Sequence, residues 1–167
     1  MTYLAGILAT LAFMTSAIMA GFFFAYSISV MWGLDAAIPA SAIDGMQGIN
    51  TVIQNPWFFP NFFGAPVFAV LAAIIFFSMG LRDIGIVFGL AALAYLIGAF
   101  GITVAINVPM NAALGAESIP QEAETARALW VDYSSRWTWW NHIRTLSSIA
   151  STLLCGFAIF LTGRAMA

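Results

Sequence analysis

The sequence predicts an all-α fold, a four-helix bundle embedded in a membrane. Two observations carry most of that expectation. The chain of 167 residues is 62% hydrophobic and 7% charged, has no lysine and has a mean hydropathy of +0.96. A soluble domain carries roughly 25% charged residues, so this chain could not cover a water-facing surface. Four apolar runs, Leu4–Met31, Pro56–Gly80, Ile84–Val108 and Trp137–Gly163, each exceed the ~20 residues that carry a helix across hydrocarbon. The length suits a single domain over 1–167. A net charge of −2 gives no basic footprint for nucleic acid. The one cysteine, Cys155, lies in an apolar run, which excludes an intramolecular disulfide.

The first run lacks the basic start and short apolar core of a cleaved leader, so it reads as a retained transmembrane helix. Its residues Ala17, Gly21, Ala25 and Ser29 recur every four positions, a spacing that lets helices approach closely. Beside them Phe22 to Phe24 and Tyr26 could line a cavity, Tyr26 being the candidate site residue, while lipid-facing or core bulk is the simpler reading for most of them. Pro39 followed by Ser41 and Asp44 predicts a short interfacial helix opened by a capping box and running to about Gln54. Gln47, Asn50 and Gln54 share one of its faces. Their simplest placement is in water, and the alternative folds Gln47 and Asn50 inward as a lid.

The second run opens on Trp57, Phe58, Phe59, Phe62 and Phe63, an interfacial aromatic belt. Only Leu81, Arg82 and Asp83 separate it from the third run, so the two form an antiparallel hairpin. Gly85/Gly89 and Ala94/Gly98 repeat the small-residue spacing. At the end of the third run, Thr103, Asn107 and Asn111 are four apart and share a helical face, and Pro109 predicts that the helix bends or stops there. Residues 120–135 have helical spacing and enough charge for a second short surface helix. Four spans put both termini on one side, with Arg82 and Arg164. That acid-poor side is the expected cytoplasmic one, in the cytoplasmic membrane.

The stretch from Trp130 to Thr145 concentrates the chemistry. It holds four of the six tryptophans, the only histidine, His142, and the arginines 136 and 144. On the fourth span a 100° step places Trp137, Asn141, Arg144, Thr145, Ser148, Ser151, Thr152 and Cys155 on one stripe. Lipid does not tolerate such a face, so it must turn inward, with His142 at its edge and Trp139 on the opposite side. An unpaired guanidinium at the depth of Arg144 is costly. Its expected partners are carbonyls, carboxamides, a loop carboxylate such as Asp132, or a ligand.

One histidine, one cysteine and no carboxylate within a span argue against a metal or haem site in a single chain. A hydrolytic triad, a glycine-rich phosphate loop and a CxxC pair are missing too. What remains is an imidazole, a fixed cation, several carboxamides and flat aromatic walls. That set suits a flat, apolar, oxygen-bearing ligand such as a quinone, a phenol or a polyketide.

Gln47-x-x-Asn50 with Asn55-Pro56, then Asn107-Val108-Pro109-Met110-Asn111, then Trp137-Thr138-x-Trp140-Asn141-His142-x-Arg144-Thr145 resemble the recurring motifs of the anthrone-oxygenase-like membrane proteins. The resemblance covers nearly the whole chain and implies a four-helix membrane fold. For fungal members it implies oxidation of anthrones to anthraquinones by O₂ without an added cofactor. The candidate catalytic residues are then His142 as base, with Arg144 and Asn141. The candidate substrate contacts are Asn107, Asn111, Trp137, Trp140, Gln47, Asn50 and Tyr26. Three functions stay open: an oxygenase acting on a lipid-soluble substrate, a non-catalytic protein that binds a quinone or lipid, and a structural membrane subunit. The expected partners are membrane lipid and a small aromatic ligand, with a homo-oligomer left open.

Overall fold

The computed structural model describes residues 1–166, and these are helical apart from short connections, with no strand among them. Five helices form the chain: α1 (Thr2–Asp35), α2 (Pro39–Val52), α3 (Phe58–Ser78), α4 (Arg82–Ala116) and α5 (Ala123–Met166). All but α2 are long and apolar enough to cross a membrane, as the hydropathy predicts. The protein is an integral membrane four-helix bundle.

Helix lengths divide the molecule into two parts. The 21 residues of α3 span about 32 Å, close to the ~30 Å of a hydrocarbon core. The 44 residues of α5 reach about 66 Å, and α1 and α4 also overshoot. The α3–α4 turn and the end of α5 lie together at one end, where Gly80, Arg82 and Arg164 line a common recess. The excess length therefore projects at the opposite end. There α2 and the upper turns of α1, α4 and α5 form a head.

The end near the termini is closed by small residues. Ala5, Ala9, Ala12, Ala69, Ala72, Ala91 and Ala158 are buried around the stacked rings of Phe76 and Phe88, whose centroids are 5.5 Å apart. Gly80 takes φ +78°, a conformation that costs glycine nothing. Its N–H reaches Phe77 O at 3.1 Å and Leu81 N–H reaches Phe76 O at 3.0 Å, which closes the hairpin. Gly98 marks the closest crossing of α4 and α5, because a Cβ there would collide with the Ser147 side chain.

Several sequence expectations need correction. The stripe Ala17, Gly21, Ala25 and Ser29 does not pack, since its last three members are exposed. The packing stripe is Ala5, Ala9, Ala12 and Ser16 with Phe23, equally well spaced but facing the bundle. No capping box forms on α2, because Pro39 as the first helical residue starts the helix three positions earlier and leaves Ser41 inside it. Residues 123–135 are not a separate surface helix but the first turns of α5. The third span neither stops nor breaks at Pro109. Wide π-type turns over Leu96–Gly101 and Thr103–Asn107 precede the proline and take up its ring, so α4 runs on to Ala116.

Candidate functional site

Toward the head the tightly packed helices give way to a cavity of about 530 Å³. One wall is Phe22, Phe23 and Tyr26 of α1, and a second is Phe58, Phe59, Phe62 and Phe63 of α3. Thr103, Val104, Val108 and Asn111 of α4 form the third, Trp137 and Arg144 of α5 the fourth, and Ile49, Asn50 and Gln54 the roof. Bulky rings hold α3 and α4 apart at this level: Phe62 stacks on Phe100 at 5.4 Å and on Phe58 at 5.3 Å. Exposed Phe59, Phe63, Val104 and Val108 edge the opening, so it faces the apolar surroundings of the bundle.

Arg144 decides the electrostatics. It is 4% exposed, and its guanidinium sits between the rings of Phe23 and Trp137, 4.6 and 4.7 Å from their centroids. Nη2 donates to Asn141 Oδ1 at 2.9 Å and Nη1 to Thr103 Oγ1 at 3.3 Å. Buried Nε–H has no acceptor. Among the described residues no carboxylate pairs with this cation; Asp132, a candidate from the sequence, pairs with exposed Arg136 at 3.8 Å instead. A buried charge without a counter-charge costs several kcal/mol. The aromatic faces offset part of that, about 2 kcal/mol or more for a desolvated pair.

Asn111 is held so that its donor is left over. Its Oδ1 accepts Tyr133 O–H and Trp137 Nε1–H, each at 2.8 Å, which fixes the amide and leaves Nδ2 free. Asn50 lines the roof with a buried Nδ2 that has no partner. Arg144, Asn50 and Asn111 thus each leave an N–H donor without a partner. None of the cavity's lining residues is an Asp, Glu or His.

The remaining sequence candidates fall outside the cavity wall. Gln47 is half-buried, and its Nε2 donates to Leu114 O at 2.8 Å and Glu117 O at 3.0 Å, fastening α2 across the end of α4. Asn50 turns inward to the roof, Gln47 ties α2 to the end of α4 without lining the cavity, and Gln54 stays exposed. Asn107 is fully buried and turned from the cavity, its Nδ2 3.5 Å from Trp137 O. The π-type turns rotate it off the face that it would share with Thr103 and Asn111 in a regular helix. Trp140 is half-buried behind the wall, and Trp139 faces outward, 62% exposed. Asn141 lies beneath Arg144 as its direct support. His142 lies on the exposed flank, its Nδ1 3.1 Å from Ser27 Oγ, and does not line the cavity. Phe23, one of the aromatics that could line a cavity, lies under the arginine, and sequence reasoning missed Ser27, a small hydroxyl with no motif around it.

Residues 56–154 match the family model described as anthrone oxygenase. The chain belongs to the anthrone oxygenase family. No curated protein and no solved structure matches it. The matched segment of this anthrone oxygenase family member contains the α3 and α4 walls and, on α5, Trp137, Asn141 and Arg144. The α1 wall and α2 lie outside it.

Proposed function

We propose that the cavity binds a flat, apolar phenol-, anthrone- or quinone-like molecule as its oxyanion, and that the protein oxidises such a substrate with O₂. One observation carries the reading. A buried guanidinium without a carboxylate partner lines an aromatic cavity beside the unpaired amide N–H groups of Asn50 and Asn111. An enolate or phenolate oxygen would supply the missing counter-charge and accept from Arg144 and Asn111 Nδ2. The rings of Phe22, Phe58, Phe62 and Trp137 suit a planar body, and the apolar opening admits a molecule dissolved in the bilayer.

Oxygenase chemistry follows from the same stabilisation. Loss of a proton from an acidic ring CH₂ gives a delocalised anion whose charge rests on an oxygen beside Arg144. That electron-rich carbon reacts with O₂, and the balanced outcome is CH₂ plus O₂ giving C=O plus water. The protein's share is desolvation and anion stabilisation, which lower the cost of the ionised form. We assign no base inside the cavity, because neither an imidazole nor a carboxylate lines it; His142 as a substrate-contacting base is not carried forward. That same feature favours the second reading, a membrane protein that holds the anion without turning it over.

O₂ uptake and anthraquinone absorbance, measured with anthrone and the protein in nanodiscs, separate the two. An oxygenase exceeds the spontaneous rate, and Arg144→Gln lowers the enhancement by about 10–100-fold, the worth of a charged hydrogen bond. Binding without any enhancement in wild type would establish the second reading. Failure of the wild type to bind anthrone or a hydroxyanthraquinone would overturn both.

A further inference from the structure

His142 does not line the cavity, yet hydrogen bonds connect it to the cavity. Its Nδ1 lies 3.1 Å from Ser27 Oγ. Asn141 Nδ2 donates to the same Oγ at 2.8 Å and to Phe23 O at 2.9 Å, while Asn141 Oδ1 accepts from Arg144. The orientation of the Asn141 amide is forced, since a guanidinium cannot accept and a carbonyl cannot donate.

Counting hydrogen bonds favours one direction for the chain. Ser27 Oγ has three polar neighbours: Asn141 Nδ2, Thr145 Oγ1 at 3.0 Å, and His142 Nδ1. The carboxamide can only donate to it. While Thr145 keeps its own proton on Asn141 O at 2.9 Å, it accepts from Ser27. Ser27 then gives its one proton to Thr145, and the contact with His142 forms with Nδ1 protonated and donating, which keeps all four hydrogen bonds. If Nδ1 were bare, Ser27 would donate to it and Thr145 would turn its proton from Asn141 O to Ser27, one hydrogen bond fewer.

We propose that His142 acts from outside the cavity as a positioning residue: its Nδ1–H fixes the Ser27 hydroxyl, which holds the Asn141 amide, which aims the Arg144 guanidinium at the bound oxyanion. The inference rests on the oxyanion reading of the cavity. It assigns His142 a role that requires no contact with substrate.

Two measurements test it. His142 is the only histidine, so ¹⁵N NMR of the imidazole in the wild-type protein reports its tautomer directly. The neutral ring should carry its proton on Nδ1, and a neutral ring protonated on Nε2 would overturn the proposal. The second measurement uses alizarin, whose anion absorbs at longer wavelength than its neutral form. His142→Asn places a donor near the old Nδ1 and should keep the bound-anion band and the affinity within about twofold. His142→Phe and His142→Gln, which present no donor there, should lose about tenfold in affinity and shift the band toward the neutral dye. A His142→Phe protein that binds alizarin as its anion with wild-type affinity would refute the positioning role. If wild type shows no anion band, or if Arg144→Gln leaves it unchanged, the oxyanion reading itself falls and takes this inference with it.

Discussion

The two halves of the bundle use opposite means of holding four helices together. Near the termini, Ala5, Ala9, Ala12, Ala69, Ala72 and Ala91 let backbones approach until almost no space remains. Small side chains give that contact in lipid, where no hydrophobic force draws helices together. Toward the head, Phe22, Phe58, Phe62 and Trp137 line a cavity, and fixed polar bonds join an apolar cluster of Met31, Ile43, Met46, Leu114 and Trp130 in holding the helices. Asp35 accepts Trp130 Nε1–H at 2.9 Å and Ser134 O–H at 2.6 Å, and Gln47 ties α2 to α4. The three π-type stretches all lie in this half. The difference teaches where function resides. The closed half is a rigid base, and the open half gives up packing for a cavity around one unpaired charge.

Mutations should respect that division. The largest stability effect belongs to the closed half: Phe76→Ala removes a fully buried ring and should cost about 3 kcal/mol. It should leave the affinity for a cavity ligand unchanged, as read by thermal unfolding and dye binding on the same sample. Equal losses in both readouts would mean that the halves are not separate.

Arg144→Lys comes next and should act on the ligand. The charge stays but the planar fork is lost, so the hydrogen bonds to Asn141 and Thr103 cannot both form. Affinity for a phenolate ligand should fall about tenfold with little change in unfolding temperature. Full retention of affinity would reduce the role of Arg144 to a point charge.

Gln47→Ala tests the lid. Two carbonyls at the end of α4 lose their donor, at about 1 kcal/mol, and ligand association and dissociation should both accelerate while the equilibrium affinity changes little. Unchanged rates in stopped-flow fluorescence would show that α2 does not control entry. The smallest effect belongs to Arg136→Gln in the head. It breaks an exposed pair with Asp132 at 3.8 Å and should shift stability by less than about 0.5 kcal/mol and binding not at all.

Much of this arrangement was legible in the chain. Hydropathy located the four spans, and the 100° periodicity turned Trp137, Asn141, Arg144, Ser148 and Ser151 inward, where all five are buried. Register was less legible. A π-type turn changes the angle per residue without a distinctive sequence, so Asn107 left the face that spacing gave it and Pro109 failed to end its helix. The two small-residue stripes of α1 are equally spaced, and only the partner helices select between them. Residues 123–135 look like a surface helix because their charges are solvated, and nothing local signals that the helix continues into the membrane. His142 lies one residue beyond Asn141, a 100° step that carries it to the outer flank.

The central claim is that the Nε–H of Arg144 lacks an acceptor until an oxyanion enters the cavity. Its Nε–H can be observed directly. In ¹⁵N-arginine-labelled protein, one Nε–H resonance should be protected from exchange, and its loss in Arg144→Lys assigns it. Adding alizarin should shift that resonance downfield in proportion to occupancy, as a hydrogen bond to an anion forms. A protected Arg144 Nε–H that does not move while the dye saturates its site would contradict the account.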